Sequence, residues 1–339
     1  MLTQPHTTVT AAPHRPNRPN PGTLPAAPTN TAMPNFIIIG ATKAGTTSLY
    51  HYLKQHPDVY MPAIKEPKFF KVKEGTIPRE NGPKGWREGA RHVRTLEMYQ
   101  GLFQNAQNER ARGEASPQYL YFPDVPPRIH KHIPDADIIA VLRNPVDRAF
   151  SAFCHLTRDG NEVHTDFAAA LRAEPERIRE GWSPLYHFRA QGFYYEQLRR
   201  YYDLFGAAKV HVYLYDDLQN DPAALTRNIF AALGVDETFT PNFETQHNIS
   251  GVPEGKMRHQ LHEIVRASSQ SLVKVWSKKL LPKSARGKIR TRALKTLQSG
   301  NLEKPTCPPE IRAELIEAYR DDIGKLQGLI GRDLSHWLQ

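Results

Sequence analysis

The stretch "NFIIIGATKAGTTSLYHYLKQHP" (35–57) limits the possible folds more than any other part of the chain. "FIIIG" is short, apolar and β-branched and ends in glycine, the pattern of a buried strand. "TTSLYHYLKQHP" places Leu49, Leu53 and His56 at i, i+4 and i+7, with Tyr52 beside them, on one face of a helix that Pro57 ends. A strand, a glycine loop and a helix in that order predict a βα unit. Its loop and helix N-terminus attract an anion through backbone N–H groups and the helix dipole. Gly40 and Gly45 have the spacing of a nucleotide-binding loop, G-x-x-x-x-G-K-[ST]. Thr46, however, stands where the lysine belongs, and the lysine is Lys43, inside the loop. Lys43, Ala44, Gly45, Thr46, Thr47 and Ser48 are thus candidate phosphate ligands. The alternative is an ordinary glycine-containing βα turn.

A second strand and turn lie in "ADIIAVLRNPVDRAFSAF" (136–153). The strand ends in Arg143-Asn144-Pro145, not in the aspartate that would complete a magnesium-triphosphate site. Asp147 falls in the first turn of the next helix. Arg143, with Arg148 and Ser151 after it, reads as a second anion site. Two anion sites without an evident metal carboxylate suggest a nucleotide bearing phosphates at both ends, and no metal.

These residues resemble the sulfotransferases that use 3′-phosphoadenosine-5′-phosphosulfate (PAPS). "FIIIGATKAGTTSLYHYLKQHPDV" is similar to their 5′-phosphosulfate loop, and "VLRNPVDRAFSAF", with Arg143 and Ser151 eight residues apart, to their 3′-phosphate motif. The likeness continues through "IKEPKFF", "GEASPQYL", "GFYYEQLRRYYDLFG", "VHVYLYDDLQNDP", "NISGVP" and "GRDLSHWL", over roughly residues 34–339. Bacterial and heparan-sulfate-type enzymes are the nearest in pattern. The resemblance implies an α/β, P-loop-like single domain with a central parallel sheet flanked by helices. Strands read at 36–39, 138–142 and 210–214 agree with it. It also implies PAPS as donor, 3′-phosphoadenosine-5′-phosphate (PAP) as product and no metal, with Lys43 on the bridging region of the phosphosulfate.

Sulfuryl transfer needs a base for the acceptor's proton, positive charge for the transferring group and an in-line donor. Taken alone, Glu66 in "AIKEPKFF" is a solvated carboxylate between Lys65 and Lys68. The resemblance implies that Glu66 is the base and Lys68 a stabilising cation, with Phe69 and Phe70 as core or pocket wall. Two positions depart from the pattern of relatives. Ala115 stands where several have a lysine, and Gln191-Gly192-Phe193-Tyr194 stands where many read R-G-x-Y, with Arg189 a possible substitute. Tyr213, Tyr215, Asp216 and Asp217 read as structural, and His130-Lys131-His132 as a solvated helix end.

Residues 1–33 hold seven prolines, seven threonines and no acidic residue, the composition of a disordered tail without a secretory h-region. The net charge of +10 is concentrated: Lys256 to Lys304 contains thirteen Lys or Arg against Glu263 and Glu303. A local basic segment, including the amphipathic "SLVKVWSKKLL", argues against nucleic-acid coating and for an anionic or membrane-borne acceptor, or else for a solvated helix packed on the core. No run reaches the ~20 apolar residues of a membrane span. Two distant cysteines, Cys154 and Cys307, fit a reducing, cytoplasmic setting, and "NIS" at 248–250 reads as an inert glycosylation match. The acceptor expected is a hydroxyl or amine of a carbohydrate, glycolipid or small metabolite. A P-loop small-molecule kinase and a non-catalytic nucleotide-binding scaffold are the alternatives. Oligomeric state is not encoded legibly.

Overall fold

A computed structural model describes residues 33–244, apart from 72, 74, 77–80, 83–92 and 160, together with 305–339. The proline-rich tail up to residue 32, the "NIS" triplet and the basic segment 256–304 lie outside the described residues.

Five strands form one sheet: β1 (Phe36–Gly40), β2 (Val59–Tyr60), β3 (Ala111–Ala115), β4 (Asp137–Leu142) and β5 (Val210–Leu214). Their order is β2-β3-β1-β4-β5, and every pairing is parallel. All five residues of β1 and of β3 are buried, as parallel strands covered on both faces must be. Phe36 lies flat on Gly113 of the neighbouring strand, where a Cβ would come within 2.2 Å of the ring. The strands expected near 36–39, 138–142 and 210–214 are present, so the α/β architecture inferred from the sequence is correct.

Helices α1 (Thr46–Leu53), α2 (Leu96–Gly101), α3 (Val125–His132), α4 (Pro145–Arg158), α5 (Phe167–Arg179), α6 (Tyr194–Phe205), α7 (Tyr215–Asn220), α8 (Pro222–Ala232) and α9 (Pro309–Ile330) surround the sheet. The first of them is shorter than expected. It stops at Leu53, and the His56 imidazole lies beyond it, buried, where its Nδ1 accepts from Asp58 N at 3.0 Å and its Nε2 meets Asp236 O at 2.9 Å. The helical face at His56 is thus a turn that leads into β2.

Helix α9 locks the domain by capping another helix. Asp322 accepts from the backbone N–H groups of Tyr194 and Tyr195 at 2.8 and 3.2 Å, satisfying the open N-terminus of α6. Burial pushes this carboxyl up to about 6, against those two hydrogen bonds. Tyr319 of the same helix packs on Gly192 and donates to Arg189 O at 2.8 Å.

Candidate active site

In a doubly wound sheet, ligands bind beyond the carboxyl ends of the strands where the strand order reverses. Here that point is β1, between β3 and β4. The loop after β1 carries Lys43, the turn after β4 carries Arg143, and the turn after β3 carries "SPQY".

Gly45 is the N-cap of α1, with φ 83°, and provides no side-chain cap. The start of this helix thus lacks a side-chain cap from its N-cap residue, an arrangement open to a phosphate. A side chain at Gly45 would be strained, and its Cβ would lie 2.4 Å from Leu218. Ala44 and Thr46 are buried, while Thr47 and Ser48 are half-buried. Thr42 of the loop donates to Gln191 Oε1 at 2.6 Å.

The second anion motif is joined to the first. Arg143 Nη1 donates to Lys43 O at 3.2 Å, and its guanidinium lies 4.6 Å from the Tyr215 ring. Tyr194 Oη donates to Arg143 O at 2.9 Å. Asn144 caps α4 through Val146 N at 3.0 Å, and Ser151 follows in the second turn of that helix. Ser151 Oγ is buried and has no partner among the described residues, an orphaned donor suited to a phosphate oxygen. Tyr215, expected to be structural only, thus also stacks on a site residue. Arg148 does not belong to the anion site. It is wholly buried and turned inward, donating to Phe188 O.

Glu66 and Lys68 enter from the segment after β2. The Glu66 N–H donates to Ala115 O at 3.1 Å. Lys65 Nζ lies 2.7 Å from Glu66 Oε1, and Lys68 Nζ 3.5 Å from Oε2. Burial would raise the Glu66 carboxyl, but the two ammonium groups outweigh it and hold the group below its usual range. Its side chain is still 35% exposed, enough for an acceptor to reach. Phe69 and Phe70 are core residues, with the Phe69 ring stacked 4.7 Å from Tyr99. Among the described non-glycine residues, Lys43, Glu66 and Lys68 are the ones with positive φ, at 67°, 58° and 56°. Strained backbone of this kind gathers at functional sites.

Burial, then Arg158 and Arg143, lower the Lys43 ammonium to about 8. Arg158 and its neighbour His155 escaped sequence reasoning. Ser151, His155 and Arg158 lie at i, i+4 and i+7 on α4, and that spacing was the available signal. Arg158 Nη2 lies 2.8 Å from His155 Nδ1, and Arg158 Nε donates to Asp159 at 3.1 Å. Burial and the Lys43 charge hold His155 down at about 4, so its ring is neutral at pH 7. This arginine brings a cation to the Lys43 side of the site, which lacks a lysine at Ala115. Gln191, by contrast, is buried and tied to Thr42 and Pro184 O, while Arg189 is exposed. Position 191 latches the loop after β1 through Thr42 and presents no guanidinium.

His130, Lys131 and His132 close α3. Among the described residues, no group of three His, Cys, Asp or Glu is placed to hold a metal, and no helix is long and apolar enough to cross a membrane. Cys154, half-buried, and Cys307, buried, are not joined in a disulfide.

Comparison with known proteins converges on one family. The crystal structure of a sulfotransferase from Alicyclobacillus acidocaldarius superposes with a TM-score of 0.68 at 34% identity, covering 90% of this chain and 99% of that one. The bifunctional heparan sulfate N-deacetylase/N-sulfotransferase 4 of Mus musculus is 26% identical over 91% of this chain. The heparan sulfate glucosamine 3-O-sulfotransferase 6 of Homo sapiens is 27% identical over 67% of it. The chain spans 31% and 59% of the lengths of these two curated relatives. The sulfotransferase family model matches residues 34–241, a span that contains Lys43, Glu66, Arg143 and Ser151. With more than half its length matched, and with the loop, the arginine turn and the buried serine on one sheet edge, the chain belongs to the sulfotransferase family.

Proposed function

We propose that this chain transfers a sulfuryl group from PAPS to a hydroxyl or amine of a carbohydrate acceptor and releases PAP. The observation that carries it is the Arg143–Lys43 contact, which joins the two candidate anion-binding motifs, with the buried Ser151 hydroxyl of the second left without a partner among the described residues. The uncapped start of α1, with Lys43, Ala44, Gly45, Thr46, Thr47 and Ser48, fits the 5′-phosphosulfate, and Arg143 with Ser151 fits the 3′-phosphate. PAPS supplies an activated sulfur–oxygen bond to a phosphate leaving group.

Glu66 takes the acceptor's proton as the acceptor oxygen or nitrogen bonds to sulfur. The sulfur–oxygen bond to the phosphate breaks, and its electron pair leaves on the phosphate, where Lys43 meets the charge. Lys68 is the looser of the two cations on Glu66. Its movement to the sulfuryl oxygens would restore proton affinity to Glu66 at the moment the proton arrives. The names of relatives, which include human carbohydrate sulfotransferase 15, support a sugar acceptor over a glycolipid or a small metabolite.

Glu66→Gln keeps the shape and removes the base. Labelled-sulfate transfer to N-desulfated heparan sulfate is expected to fall about 10²–10⁴-fold, with PAP affinity by calorimetry unchanged. Undiminished transfer removes Glu66 from the chemistry. Thermal stabilisation by Mg-ATP and not by PAP would favour a kinase instead.

A further inference from the structure

Residues 331–339 lie outside the span matched by the family model, yet they meet the elements that frame Arg143. Gly331, with φ 63°, ends α9 and turns the chain. Leu334 N then donates to Gln327 Oε1 at 2.7 Å, and Trp337 is fully buried. The Trp337 ring lies 6.3 Å from that of Tyr194, whose hydroxyl donates to Arg143 O at 2.9 Å. Asn144 Nδ2 donates to Trp337 O at 3.4 Å while its Oδ1 caps α4, so that amide is held at both ends. The segment is therefore anchored beside the arginine turn.

From that anchorage it grips α7, the helix that carries Tyr215. Arg332 donates to both oxygens of Asp217, at 3.0 and 3.2 Å, and His336 Nε2 lies 3.1 Å from Asp216 Oδ2. Asp217 also accepts from Leu214 N at 3.0 Å, so one carboxylate ties the start of α7 to Arg332. Burial would raise the Asp217 carboxyl, but Arg332 and the Leu214 N–H outweigh it and hold the group below its usual range. The pair is thus ionised at pH 7. Tyr215 sits between Leu214 and Asp217 in sequence, on backbone fixed by this grip. Its ring lies 4.6 Å from the Arg143 guanidinium and would lie 3.2 Å from a Cβ at Gly45. A guanidinium recognises phosphate through two directional hydrogen bonds, so the surface it lies on sets how well it can do so.

We propose that Arg332 is a positioning residue for the nucleotide: paired with Asp217, it fixes Tyr215 against Arg143 and so holds the guanidinium in the orientation that selects a 3′-phosphate. The proposal rests on the reading of Arg143 as the 3′-phosphate ligand.

Calorimetry with PAP and with adenosine 5′-phosphate, which lacks the 3′-phosphate, separates orientation from folding. Wild type should prefer PAP, and Arg143→Ala should remove most of that preference. Arg332→Gln should lower PAP affinity about fivefold, as much as a surface ion pair supplies, and leave affinity for adenosine 5′-phosphate unchanged. Arg332→Lys keeps the charge without the two-pronged grip and should fall between. In an Arg143→Ala background, Arg332→Gln should have no further effect. Arg320→Gln, which breaks a 2.9 Å pair with Glu317 elsewhere on α9, should leave the preference at its wild-type value. A preference that depends on Arg143 but not on Arg332, or an equal loss of both nucleotides in Arg332→Gln, overturns the proposal alone. No preference in the wild type, or one that survives Arg143→Ala, overturns the reading of Arg143 and the proposal with it.

Discussion

Lys43→Arg is expected to remove the pH dependence of PAP binding above neutrality. Burial and the charges of Arg158 and Arg143 bring the free Lys43 ammonium down to about 8. A bound phosphate places negative charge beside it and raises that value, so binding takes up a proton. Affinity should therefore be complete below about pH 8 and fall one decade per pH unit above it. Between pH 7 and pH 9 the wild-type Kd should rise about tenfold, or about 1.4 kcal/mol. His155, held at about 4, and Glu66, held below its usual range, keep one charge state between pH 7 and pH 9. Arginine stays charged throughout, so Lys43→Arg should give a flat profile from pH 7 to pH 9. Lys43→Met should bind weakly at every pH and also be flat. Isothermal calorimetry with PAP in two buffers of different ionisation enthalpy measures both the affinity and the proton uptake. A wild-type Kd that does not change across this range, or a tenfold rise that persists in Lys43→Met, would refute the reasoning.

Two further variants test separate parts of the structure. Ser151→Ala removes a buried hydroxyl that has no partner among the described residues, so Tm should not fall, while PAP affinity should drop about tenfold or more, as for a hydrogen bond to a charged group. Unchanged PAP affinity would place the 3′-phosphate elsewhere. Asp322→Asn keeps an acceptor for the start of α6 without the charge. Burial raises this carboxyl to about 6, so its ionisation costs stability as pH rises through that value. The Tm of the variant relative to wild type should rise between pH 4 and pH 7, and a constant difference in melting scans would contradict this.

The sheet and the loop after β1 were legible because local pattern and tertiary role coincide there. "FIIIG" can only be a buried strand, and a glycine pair before a helix has few other uses. His56 was misassigned because helical periodicity continued for three residues past a helix that tertiary contacts had ended. Arg148 looked like part of a basic motif, but side-chain direction on α4 turned it into the core, and direction depends on packing that sequence spacing does not encode. His155 and Arg158 shared the Ser151 helix face and could have been found by extending that face about 10 Å toward its end.

The left-handed backbone at Lys43, Glu66 and Lys68 has an evolutionary consequence. Each such residue costs roughly 1–2 kcal/mol relative to a conformation suited to its side chain, and glycine would relieve that cost. Selection for heat resistance alone would therefore drive these three positions toward glycine and yield a more durable but inactive protein. In a set of variants sorted by melting temperature and by turnover, these positions should separate the two properties most clearly.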